Sequence, residues 1–207
     1  MDSPKHTQSM KTGSLTASAT QSQSRQRTRW LVITAVLAAI SIVLSLTPLG
    51  LIPVPTPAGS ATILQVPAIL AAVLAGPFAG GIVGAVFGVV SMLHSSGVPW
   101  FTNPLVSVVP RILIGVISYF VYASLIRGAG RARGTFALIV TGFIGSVVNT
   151  VLVLGAVYIF FPVKLGSLVT VALVQGLPEA VVSAILTTAI AAAYLGITRQ
   201  GRKSRIS

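Results

Sequence analysis

The sequence predicts an all-α membrane protein of six transmembrane helices with both termini cytoplasmic. Three observations carry that prediction. Of 207 residues, 54% are hydrophobic and 8% charged, with a mean hydropathy of +0.93. Soluble domains average about 25% charged residues, so this chain cannot clothe a globule in hydrated surface. Apolar runs of helical length alternate with short polar breaks. Twelve of the fourteen Lys and Arg fall in the two tails and the 127–134 loop. Six spans put all three segments on one side, as the positive-inside rule asks of cytoplasmic segments, whereas five would strand 127–134 opposite the N-terminal cluster.

Residues 1–29 hold fifteen Ser, Thr or Gln and end in Arg25, Arg27 and Arg29. Such a segment buries too little apolar area to fold and reads as a disordered cytoplasmic tail. A cleaved signal peptide is the rival reading, but LVITAVLAAISIVLSL (31–46) lacks a convincing cleavage site and is taken as the first retained span. The stretch 47–62 carries Pro48, Pro53, Pro55 and Pro57 and is expected to be a semi-rigid extended loop. Next come ILQVPAILAAVLA (63–75), a Gly76-Pro77 break and AGGIVGAVFGVVSML (79–93). As one helix, 63–93 would be roughly 46 Å long against a hydrocarbon core of roughly 30 Å, so two short spans are expected.

The segment 94–103 is a loop with Trp100 and Phe101 as interface anchors, and His94 is solvated at its edge. The fourth span covers 104–125, with Tyr119 and Tyr122 anchoring its inner end. A basic loop at 127–134, a fifth span at 136–160 and a sixth at 168–196 complete the 30–197 transmembrane domain, and 198–207 is a basic cytoplasmic tail.

The net charge of +12 does not indicate nucleic acid, because the cations lie between apolar runs rather than along one polar face. They suit anionic membrane lipid instead. No cysteine occurs, so disulfides and thiolate metal sites are excluded. No P-loop, HExxH or GxSxG motif is present, and a lone intramembrane carboxylate without an adjacent histidine is poor hydrolytic equipment. No catalytic residue, metal ligand or cofactor is expected, and active transport would need energy from another subunit.

Arg111, directly after Pro110, stands inside the fourth span. Arginine at membrane depth costs at least roughly 2.5–3.5 kcal/mol and needs an anion or a wet cavity. The one acidic residue in any other apolar segment is Glu179, in the sixth span. Counted from the outer end, Arg111 lies roughly 12 Å deep, and Asn149 and Glu179 roughly 18 Å deep. Gln175, four residues before Glu179, shares its face, and Pro178 weakens the backbone ladder beside it. Gln65 and Asn103 sit at the outer ends of the second and fourth spans. Gln65, Asn103, Arg111, Asn149, Gln175 and Glu179 thus describe a polar pocket open to the outside, with Arg111 for a ligand carboxylate and the others for hydroxyl or amide groups. A purely structural Arg111–Glu179 ion pair is the alternative, and Asn149 or Gln175 as interhelical glue is a further one.

Two small-residue patterns stand out. Gly76, Gly80, Gly84 and Gly88 form a ridge of GxxxG steps, read as packing inside the bundle, with a partner-protein surface as the other option. Ala35 and Ala39 make a similar patch on the first span.

Residues 64–93 (LQVPAILAAVLAGPFAGGIVGAVFGVVSML), 103–122 (NPLVSVVPRILIGVISYFVY) and the Asn149-bearing fifth span resemble the substrate-binding (S) component of energy-coupling factor vitamin transporters. The likeness spans about 30–197. It implies an S-component bundle that captures a small vitamin from outside. It also implies partners, a transmembrane coupling subunit and two cytoplasmic ATPases that supply the energy. Ala35 and Ala39 match the alanine motif by which such proteins contact the coupling subunit, and the 47–62 loop would gate the pocket. The Pro110–Gly115 run is similar to pantothenate-type members, with riboflavin and folate next. A non-transport scaffold or assembly factor is the competing class. The chain would reside in a bacterial plasma membrane as a multi-pass protein.

Overall fold

The computed structural model describes residues 5–53, 60–94, 102–127 and 131–203. Trp100, Phe101 and the 54–59 tip of the proline-rich loop lie outside the described residues. The elements are α1 (Lys5–Leu46), a 3₁₀ turn (Pro48–Gly50), β1 (Leu51–Pro53), β2 (Ser60–Thr62), α2 (Val66–Ala75), α3 (Pro77–Leu93), α4 (Pro104–Ser107), α5 (Val109–Ile126), α6 (Arg131–Phe160), α7 (Leu165–Val171), a π-helical turn (Ala172–Gly176) and α8 (Leu177–Lys203).

Among the described residues, four helical stretches are long and apolar enough to cross a membrane: Gln23–Leu46, Pro104–Ile126, Gly134–Phe160 and Leu165–Gly196. The two remaining apolar helices, α2 and α3, are shorter. At ten residues α2 is about 15 Å long, half the hydrocarbon core. The six helical segments expected from sequence are therefore present, α2 being shorter than the expected 63–75 and α3 a little longer than the expected 79–93. Large apolar side chains exposed on the outer faces, among them Phe120, Val151, Ile159 and Ile185, suit contact with lipid tails.

Helix α1 departs from expectation at its start. It runs continuously from Lys5, through the polar tail expected to lack order. No proline and a single glycine, Gly13, interrupt residues 5–29, so a helix nucleated in the apolar span meets little to stop it propagating backward. The proline-rich connection also folds more than expected. β1 and β2 pair antiparallel with Leu51 opposite Thr62 and Pro53 opposite Ser60, a short ladder whose second strand leads into α2.

The break at Gly76-Pro77 is a reversal. Gly76 adopts φ 102°, a conformation that suits glycine, and Pro77 starts α3 at a helix N-terminus, where its missing N–H costs nothing. A Cβ built on Gly80 would lie 2.7 Å from the Cβ of Ala72, so α3 folds back against α2. Helix α2 is apolar all round, and a helix of that kind belongs at the centre of a fold. Its residues Val66–Ala72 are all buried, in a core with Ile33 and Leu37 of α1, Ala79 and Val83 of α3, Leu138 of α6 and Ala191 of α8.

The glycine ridge on α3 faces inward. A Cβ at Gly84 would overlap the carbonyl of Arg111, and one at Gly88 would sit 2.7 Å from the Cα of Val108 and 2.8 Å from the Ser107 oxygen. Gly115 answers on α5, where a Cβ would run into the Gly80 backbone. Packing within the bundle accounts for this ridge, and it sets α5 against α3 backbone to backbone.

Candidate functional site

Pro110 shapes the arginine's surroundings. Lacking an N–H, it leaves the carbonyl of Val106, four residues earlier, without its usual helical donor. The Arg111 Nη1 donates to that carbonyl at 2.7 Å. The interruption falls at Val108, where α4 gives way to α5. The guanidinium carbon also lies 5.5 Å from the ring centroid of Phe87 on α3, over its face, a contact worth roughly 0.5–2 kcal/mol. Arg111 is only 5% exposed. A proline and the arginine that follows it thus act together, the second satisfying the oxygen that the first releases.

Glu179 is held by a different set. Its Oε1 accepts from Thr62 N at 3.0 Å, Thr62 Oγ1 at 2.9 Å and Gln175 Nε2 at 3.2 Å. Gln175 belongs to the π-helical turn that precedes Pro178 and lies four residues before Glu179. A π turn is a common accommodation where a helix loses a regular bond, and it recurs at functional sites. Among the described residues no ion pair joins Arg111 to Glu179, and each has other partners. The structural pair on which the scaffold reading depends is not formed.

Arg111, Asn149, Gln175 and Glu179 line one cavity of about 290 Å³, with Thr62, Phe87, Ser91, Thr150 and apolar walls at Val153, Leu154 and Val171. It lies at the end of the bundle where α3 and α6 finish and where α5 and α8 begin. The amide oxygen of Asn149 is buried and has no hydrogen-bond partner. Gly176 closes the wall against Thr150, whose Cγ2 would be 3.0 Å from any added Cβ.

The other two candidates lie elsewhere. Gln65 is fully buried between α2, α6 and α8, where its Nε2 donates to Ser146 Oγ and Ser183 Oγ, both at 3.0 Å. Asn103 caps α4, its side chain accepting from Leu105 N at 2.9 Å. Neither lines the cavity. Thr62 and Phe87 were absent from the sequence expectation. A proline-rich loop gave no sign that its last residue turns inward, and Phe87 reads as one more apolar helix residue. A signal for Phe87 did exist: it lies one position from Gly88 on the ridge that meets the Arg111 helix. Ala35 and Ala39 are exposed on the outer face of α1.

Comparison with known proteins bears on this geometry. The chain matches the family model "ECF transporter, substrate-specific component" over residues 29–191. The pantothenic acid transporter PanT of Lactococcus lactis subsp. cremoris (strain MG1363) is 34% identical over 102 residues, a match covering 45% of this chain and 46% of that protein. The aligned region is thus less than half of either protein. The family model, by contrast, takes in the apolar part of α1, all of α2 to α7, most of α8 and the whole cavity, so this chain belongs to the substrate-specific components of ECF transporters, multi-pass membrane proteins that serve transport rather than catalysis.

Proposed function

We propose that the protein captures pantothenate in the Arg111 cavity for ATP-driven uptake by partner subunits. The observation that carries this is a cation fixed at the wall of an intramembrane cavity, beside an amide oxygen that lacks a donor. Pantothenate offers the complementary groups. Its carboxylate would take Arg111 in a charge-assisted, bidentate contact. Its amide N–H or a hydroxyl would satisfy Asn149, and a second hydroxyl would donate to the Glu179 oxygen that Thr62 and Gln175 leave uncommitted. The cavity is near the lower end of ligand pockets, which run from about 300 to 1,000 Å³. That size suits a short branched vitamin better than the fused rings of riboflavin or folate. The name of the PanT relative points to the same substrate class.

The same reading gives the chain a transmembrane coupling subunit, approached through Ala35 and Ala39 on the outer face of α1, and two cytoplasmic ATPases. It places six membrane-crossing segments in 30–197, with α2 and α3 crossing as a bent pair, and both termini in the cytoplasm. The test is equilibrium binding to the purified protein of radiolabelled pantothenate, riboflavin and folate in parallel, with mass spectrometry of small molecules released on denaturation. Tight binding of pantothenate alone is the expected result. Tight binding of another vitamin would move the assignment within the family, and binding of none would remove it.

A further inference from the structure

Two opposite charges line the vitamin cavity without pairing with each other. Arg111 and Glu179 share the wall of a space of about 290 Å³. Glu179 is held by Thr62 and Gln175, and the guanidinium by the Val106 carbonyl. In so small a cavity, set in a low-dielectric bundle, an arginine and a carboxylate attract one another strongly. A cation paired across the cavity would be spent before any ligand arrived. The helix that carries the arginine supplies the restraint.

We propose that Pro110 is a positioning residue: by leaving the Val106 carbonyl open, it holds Arg111 off Glu179 and keeps the cation available to a ligand carboxylate. The joint between α4 and α5 keeps helical dihedrals, with Val108 at φ −94° and ψ −49°. The ladder continues on either side of it. Val108 N donates to the Pro104 oxygen at 2.7 Å, and Ile112 N to the Val108 oxygen at 3.1 Å. Any other residue at position 110 would therefore aim its N–H at the Val106 oxygen, four residues back. Proline cannot make that bond, and Arg111 Nη1 takes its place at 2.7 Å. Phe87 backs the guanidinium from α3, its ring centre 5.5 Å from the guanidinium carbon. This anchor is a neutral oxygen, so it fixes the charge without cancelling it. An ion pair with Glu179 would cancel it, and affinity for an anion would then fall with the fraction of molecules left competent.

The test compares the wild type with Pro110→Ala and Pro110→Ser, both of which restore the N–H. Each purified protein is titrated with pantothenate and with pantothenol, in which a neutral alcohol replaces the carboxylate. This arm rests on the vitamin reading above. The wild type should prefer the acid by about a hundredfold. Both variants should lose about tenfold or more in affinity for pantothenate and stay within about threefold for pantothenol. A second arm needs no ligand: Glu179→Gln is placed in the wild type and in each Pro110 variant, and thermal midpoints are compared. Once the N–H is restored, Arg111 turns to Glu179, so neutralising Glu179 should lower the midpoint by about 3 °C more than in the wild type. Unchanged pantothenate affinity in the variants, a parallel loss for both ligands, or the same midpoint shift in every background overturns the proposal. A wild type that binds neither ligand removes the vitamin reading, and the midpoint comparison still decides the role of Pro110.

Discussion

Replacing Arg111 with alanine separates a binding role from a structural one, because the structure lets the stability terms be weighed. The substitution removes the Nη1 bond to the Val106 carbonyl, worth roughly 1.5–3 kcal/mol as a bond from a charged donor. It also removes the stacking on Phe87, worth roughly 0.5–2 kcal/mol. Against this, it relieves a cation buried at membrane depth, whose cost is at least roughly 2.5–3.5 kcal/mol. The terms largely offset, so the apo fold should change by no more than about 3 kcal/mol in either direction. Binding has no such offset. Two charge-assisted bonds to a ligand carboxylate, at roughly 1.5–3 kcal/mol each, amount to a loss of roughly 10²–10⁴ in Kd. Arg111→Lys should fall between, keeping the charge and losing the fork. The assay pairs thermal unfolding in detergent with equilibrium binding of radiolabelled pantothenate. An Arg111→Ala protein that folds and binds within about threefold of wild type would refute the role given to the guanidinium.

Four further substitutions probe the site and its supports. Gly84→Ala drives a methyl into the Arg111 carbonyl and should cost about 1–3 kcal/mol and weaken vitamin binding, as denaturation midpoint and Kd report. Gly81→Ala is its control: there the added carbon meets Val116 Cγ2 at an ordinary 3.7 Å, and stability should stay within about 0.5 kcal/mol or improve. Thr62→Val deletes one of the three bonds to Glu179 Oε1 while sparing the backbone bond, and hydrogen exchange at the Thr62 amide should accelerate about tenfold or more. Asn149→Leu removes a buried, unpartnered oxygen, so the apo protein should be as stable as wild type or more so, while vitamin affinity drops about tenfold or more in the same binding assay.

The legible parts of this chain were those where lipid makes a residue expensive. Arg111, Asn149, Gln175 and Glu179 stood out because polar side chains are rare in apolar helices, and depth along a helix follows from counting residues. That reasoning gives depth but not rotation about the helix axis. Gln65 shows the limit, because its amide turns toward two serines on α6 and α8 that composition cannot distinguish from any other small residues. Asn103 caps α4, as an asparagine before a proline at a helix start signals. The Gly76-Pro77 break was visible, whereas the central place of α2 required noticing that Val66–Ala75 has no polar face at all. Thr62 lay beyond reach, because its bond to Glu179 spans 117 positions and depends on a residue held opposite Leu51 in the ladder between β1 and β2.

The contact between Arg111 and the Val106 oxygen has a mechanical corollary. The cation at the start of α5 is moored to the end of α4 across the Val108 interruption, so its position is set by that joint instead of by the wandering of a long side chain. Any tilt of the joined α4–α5 segment in the bilayer would carry the charge along the same arc, and an anion riding on it would travel too without first letting go.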